Sequence, residues 1–152
     1  MSEDKNIKKG TAAERFAEIE REVVRVKDGR LNSMLAPAFV SCDEERNSAR
    51  ISFEIKDWER NQRGEGHGGA ISSMFDTAMG ITVMAFSGAE AVSTADLSVS
   101  FIRPFLGQSC VIESQVLHAG RTLMRVRAEA FDQETGKCLA SASGNFVRLV
   151  KR

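Results

Sequence analysis

Apolar and polar positions along this chain change period several times, and each change marks an element. Between Thr11 and Lys27, the apolar residues Phe16, Ile19, Val23 and Val26 recur every three or four positions among charged neighbours, and Gly29 follows. That spacing predicts an amphipathic helix with a glycine at its stop. Asn32 to Pro37 reads as a connector. From Arg50 to Lys56 the period falls to two, with Ile51, Phe53 and Ile55 alternating with Ser52, Glu54 and Lys56. A half-buried strand is expected there. Asn61 to Gly69, NQRGEGHGG, is too dense in glycine for the interior of a helix or strand and reads as a turn. It opens into AISSMFDTAMGITVMAF, Ala70 to Phe86, which is apolar nearly all round. Such a helix must be enclosed by other structure.

Four further strands are expected after Ala91. Ala95, Leu97, Val99 and Phe101 share one face and the run ends at Pro104. Cys110 to His118 and Leu123 to Phe131 alternate on either side of a turn at Ala119-Gly120-Arg121, and Cys138 to Val150 follows a turn at Glu134-Thr135-Gly136. Helix, strand, buried helix and four strands joined by short links predict an α+β fold with an antiparallel sheet laid over one enclosed helix. No second layer remains to cover the far end of that helix, so self-association is expected.

Composition narrows the function. The 152 residues carry 21 basic and 21 acidic side chains, few aromatics and no Tyr. Length suits one domain. The charge balance and the scarcity of stacking residues predict no nucleic-acid partner. The N-terminal MSEDKNIKKG has no apolar stretch of the secretory kind, so a cytoplasmic location is expected. Ala70 to Phe86 is short for a membrane span and carries Asp76, so no membrane partner is expected either. Cys42, Cys110 and Cys138 have no metal-finger or redox spacing and read as small buried apolar residues. Neither His67 nor His118 has a partner at metal-ligand spacing, so no metal site is expected, and His118 reads as structural.

Asp76 is the one acidic residue between His67 and Gly88 and lies mid-helix. A buried carboxylate needs donors, a changed pKa or a wet cavity. It could be a structural Asp satisfied by Ser72, Ser73 or Thr77, or the acid of an active site. The helix start is a second candidate, because free N–H groups there attract negative charge and Gly68 and Gly69 leave a ligand room to approach. An ordinary glycine turn would look the same. Gly68 lies eight residues, ~12 Å of helix rise, from Asp76. His67 and Asp76, nine residues apart, fall on nearly opposite faces at ~100° per residue. One site using both ends therefore requires two copies of the chain, with their central helices antiparallel.

HGGAISSMFD, preceded by Asn61 and followed by a strand ending FIRP, resembles the hotdog-fold acyl-CoA thioesterases of the phenylacetate-degradation type. The resemblance covers Leu31 to Val150. It implies an antiparallel sheet wrapped around a long central helix, with residues 1–30 as an N-terminal helical extension and 31–152 as the hotdog thioesterase domain. It also implies hydrolysis of acyl-CoA or aryl-acyl-CoA thioesters by a homodimer or dimer of dimers, with no cofactor beyond the CoA of the substrate. Asp76 stands at the position of the general base or nucleophile. Gly68 stands where a backbone N–H polarises the carbonyl, and Asn61 and His67 where substrate and site hydrogen bonds are oriented. Thr94, with Ser93 beside it, falls where a hydroxyl helps hold the attacking water. The thiolate leaves readily, so a metal or a Ser-His-Asp triad is not required, and no Gly-x-Ser-x-Gly elbow is present. Met74, Phe75 and Met79 are candidates to line an acyl pocket or to pack the core. Arg103, Arg121, Arg148, Lys151 and Arg152 are candidate surface charges near CoA phosphates. A non-catalytic acyl-CoA sensor on the same fold is the alternative, though the N-terminal helix is short and acidic for a DNA-binding unit. A hotdog hydratase would need a different His and acid arrangement.

Overall fold

The computed structural model describes residues 10–23 and 26–150. Helix α1 (Ala12–Val23) buries Ala12, Phe16 and Ile19. Its start is capped reciprocally: the Glu14 N–H donates to Thr11 Oγ1 at 3.2 Å, and the Thr11 N–H donates to Glu14 Oε2 at 3.3 Å. The expected apolar side does not extend to Val26, which is exposed, and Lys27 has a φ of 45° that no helix accommodates.

Two elements depart from the pattern-based reading. The stretch expected as a connector contains a short helix, α2 (Leu31–Leu35), closed by Ala36 in the left-handed region. Strand β1 (Ala38–Asp43) then forms an antiparallel hairpin with β2 (Ser48–Glu54), and its register slips between Phe39 and Ser41. β1 is an edge strand with no clear alternation of burial, so it leaves little periodic signal.

The central helix α3 (Gly68–Ser87) runs from a His67 cap to Gly88, whose left-handed conformation lets its N–H reach the Met84 carbonyl at 3.0 Å. The strands β3 (Val92–Phe101), β4 (Ser109–Ala119), β5 (Leu123–Asp132) and β6 (Cys138–Arg148) complete a six-stranded antiparallel sheet ordered β1-β2-β4-β5-β6-β3. Chain order is not spatial order: β3 pairs with β6, leaving its other edge unpaired among the described residues. Ala95 does not share the inward face of Leu97 and Val99, because the register slips between Thr94 and Asp96, and Ala95 is exposed. Phe101 also stands half exposed.

The inner sheet face supplies Ile51, Phe53, Ile112, Val126 and Phe146 to a core centred on Ile71, Met74, Phe75 and Met79 of α3. β5 shows the required period of two, Met124, Val126, Ala128 and Ala130 facing in. α3 is the one helix among the described residues long and apolar enough to cross a membrane, and most of it lies inside this core. Phe16 of α1 belongs to the same core and stacks on Phe39 with ring centroids 4.6 Å apart. Of the three cysteines only Cys110 is buried; Cys42 and Cys138 are half-buried, contrary to expectation. Burial, and then the nearby Glu59 carboxylate, push the Cys110 thiol up to about 12.

The glycine-dense segment before α3 is tightly tied. The Arg60 guanidinium donates to the carbonyls of Ile55 (3.1 Å), Gly64 (2.9 Å) and Gly107 (2.8 Å), and the Gly66 N–H donates to the Phe105 carbonyl at 2.8 Å. A Cβ on Gly66 would stand 2.9 Å from Phe105 Cβ and 3.0 Å from Ile71 Cδ1. Gly66→Ala should therefore lower stability by about 1–3 kcal/mol through overpacking, measured by urea unfolding; an unchanged midpoint would contradict this packing.

Candidate active site

Asp76 is half-buried midway along α3. Its Oδ1 accepts a hydrogen bond of 2.7 Å from Thr94 Oγ1 on β3. The hydroxyls closest in sequence go elsewhere: Ser72 donates to the Gly68 carbonyl (2.7 Å), Ser73 to the Gly69 carbonyl (2.9 Å) and Thr77 to Asn32 Oδ1 (2.7 Å). The local-satisfaction reading of Asp76 thus fails, and its second oxygen has no protein donor among the described residues. It faces a cleft of about 280 Å³.

That cleft was only partly foreseeable. Met74, Phe75 and Met79 are fully buried against the sheet and do not line it. Its floor is Gly80 and Met84, which follow Asp76 at intervals of four on the same face of α3. Its far wall is Ile19 and Val23 of α1, and Asn32 of α2 closes one side. Nothing local in the sequence marks Asn32, whose role follows from its contact with Thr77, 45 residues away. Arg15 holds α1 in place by donating from Nε to the Ala85 carbonyl in the last turn of α3, where a cation also complements the helix dipole.

The other end of α3 opens on a different cleft of about 430 Å³, lined by Asn61, Gly68, Phe101 and Arg103. His67 sits in an extended conformation (φ −63°, ψ 133°), and its Nδ1 accepts the Gly69 N–H at 2.9 Å. The Gly68 N–H has no acceptor among the described residues. Asn61 shapes the loop beneath it: Oδ1 accepts from the Arg63 N–H (3.0 Å) and the Glu65 N–H (3.2 Å). The structure therefore brings Asp76 and Thr94 together in one cleft, and Asn61 and Gly68 together in another, with His67 capping the helix start. It does not join the two groups within one chain.

The candidate phosphate partners differ from one another. Arg103 lines the Gly68 cleft while donating to the Cys138 carbonyl at 2.6 Å, and Arg121 is exposed. Arg148 is not the solvated charge expected of it: Nε and Nη1 are buried without a hydrogen-bond partner among the described residues. Lys151 and Arg152 lie outside the described residues. His118 is exposed on β4.

A family model described as the Thioesterase superfamily matches residues 64–139, half of the chain. A conserved protein, PA5202, from Pseudomonas aeruginosa is similar at 28% identity and a TM-score of 0.67, with 76% of this chain and 90% of that one covered. A phenylacetic acid degradation-related protein from Ralstonia eutropha is similar at 25% identity and 0.73, with 88% and 98% covered. The fold is also that of smu.793 from Streptococcus mutans, solved bound to acetyl-CoA, at 23% identity and 0.66 over 76% of this chain and 90% of that one.

His67→Ala should remove the helix cap and lower stability by about 1 kcal/mol, whereas His67→Asn should restore most of it. Denaturant unfolding of both variants checks this, and equal stabilities would contradict the capping role.

Proposed function

The chain belongs to the Thioesterase superfamily and is a thioester hydrolase, and from that premise we propose that it hydrolyses acyl-CoA thioesters in sites shared by two copies of the chain. The observation that carries this reading is the Asp76 carboxylate, oriented by Thr94 in its own cleft midway along α3, with the Gly68 amide in a separate cleft at the start of the same helix.

Strand β3 acts as the ruler. Thr94, near its beginning, touches Asp76, while Phe101, at its end, lies beside Gly68: a Cβ on Gly68 would meet the Phe101 ring at 3.6 Å. If the free β3 edges of two copies pair antiparallel about a two-fold axis near Leu97 and Ser98, Thr94 of one copy falls opposite Phe101 of the other. Asp76 then meets the second copy's Gly68, and the unpaired edge is covered at the same time. A dimer of such dimers would leave this pairing intact.

In the proposed reaction Asp76 takes a proton from a water that Thr94 helps to hold. The water oxygen bonds to the thioester carbon, and negative charge collects on the carbonyl oxygen. The Gly68 N–H of the second copy, at a helix start, is placed to stabilise that charge. The C–S bond then breaks and CoA leaves as the thiolate, taking up the proton. His67 fixes the helix start and Asn61 the loop under it. Water is the only co-reactant. The acetyl-CoA held by the Streptococcus mutans protein supports CoA thioesters as the substrate class.

Asp76→Ala should lower thioester hydrolysis by about 10²–10⁴-fold without unfolding the protein. Steady-state assay on a panel of CoA thioesters tests this; wild-type turnover in the variant would overturn the role, and CoA-thioester binding without turnover by the native protein would favour a sensor. Gly68→Pro removes one N–H at the first helical position, which tolerates proline, after a residue already extended. It should lower kcat by about 10²–10³-fold with helicity retained by circular dichroism. Undiminished kcat would exclude that amide from the reaction.

A further inference from the structure

Gly80 stands mid-way along α3, where glycine is the least favoured residue after proline. Two other buried or enclosed glycines are demanded by sterics: a Cβ on Gly66 would stand 2.9 Å from Phe105 Cβ, and one on Gly144 would stand 3.1 Å from the Asp96 carbonyl oxygen. Gly80 is different. A Cβ there would meet Phe146 Cε1 at 3.4 Å and Val92 Cγ2 at 4.0 Å, ordinary contact distances. Packing leaves room for alanine, and the helix would favour it, so the missing methyl keeps space open. That space is the Asp76 cleft, because Gly80, Phe146 and Val92 all line it and Gly80 follows Asp76 by one helical turn.

The opposite wall comes from α1, where the apolar Ile19 and Val23 line the cleft beside the charged Arg15 and Glu22, and α1 is fastened across the end of α3 by the Arg15 bond to the Ala85 carbonyl. The part of the cleft formed by one chain is open to one side and holds about 280 Å³, just under the roughly 300–1,000 Å³ typical of sites for drug-sized ligands.

We propose that Gly80 on α3 and Ile19 on α1 set the size of the acyl group, selecting CoA thioesters of short aliphatic or single-ring aryl acids over long fatty acyl chains. The inference rests on the thioester-hydrolase reading above and adds the specificity-determining walls to it. Ile19 and Gly80 touch the acyl group and take no part in the bond changes.

The test is kcat/KM on acetyl-, hexanoyl-, phenylacetyl-, dodecanoyl- and palmitoyl-CoA for the full chain and three variants. The native protein should favour hexanoyl- or phenylacetyl-CoA over palmitoyl-CoA by at least about tenfold, the effect of a methylene-sized misfit or more in an apolar pocket. Gly80→Val should lower the hexanoyl-to-acetyl ratio about tenfold or more. Ile19→Ala should raise the dodecanoyl-to-hexanoyl ratio by about the same factor. Ratios taken within one variant are insensitive to a loss of folded enzyme. Gly80→Ala, which meets no clash, serves if the valine variant fails to fold, and should shift the ratio in the same direction. Palmitoyl-CoA turned over by the native protein as well as hexanoyl-CoA, or a profile in Gly80→Ala superimposable on the native one, would overturn the proposal while leaving the hydrolase reading intact. No turnover of any thioester by the native protein would overturn both.

Discussion

The rigid length of α3 is the constraint from which the rest of the account follows. A helix fixes the distance between any two of its residues, and eight residues, ~12 Å, separate the Gly68 amide from the Asp76 carboxylate. No side-chain movement closes that gap, because the helix is packed along the inner face of the sheet by Ile71, Met74, Phe75 and Met79. Each half of the site is nevertheless well made. Thr94 aims one oxygen of Asp76, and the His67 cap, the Asn61 turn and the Arg60 bonds hold the helix start. Two candidate half-sites on one rigid element, with a strand edge unpaired among the described residues whose ends mark them both, are what the proposed shared site rests on.

Much of this was legible in residue order. The switch from a period of two to an apolar run and back places β2, α3 and the later strands within a few residues of where they lie. The lone acid in an apolar helix singles out Asp76, and the glycines before that helix single out its start. The hydroxyl partner came from the family resemblance and not from periodicity: of Thr94 and its neighbour Ser93, it is Thr94 whose Oγ1 reaches Asp76.

What was not legible depends on contacts distant in sequence. β1 lies at an edge with little burial to impose a period, and α2 is too short to display one. The sheet places β3 beside β6 although the chain makes β4 next, a choice set by how the strands close over α3. The slip at Ala95 breaks the alternation that would have put Ala95 inside. The cleft residues were missed for a related reason. Met74, Phe75 and Met79 are the large apolar neighbours of Asp76 in sequence, but the face that carries Asp76 continues through Gly80 and Met84 and is roofed by α1. Helical periodicity gives the first fact; the position of α1 comes only from the fold.

Subunit exchange between Asp76→Ala and Gly68→Pro chains tests the shared site most directly. Each parent should be nearly inactive, and a heterodimer should hold one site with both defects and one with neither. Random exchange of equal amounts should restore about a quarter of the native rate, since half the dimers are mixed and half of their sites are whole. No recovery, with heterodimers verified by native mass spectrometry, would contradict the account.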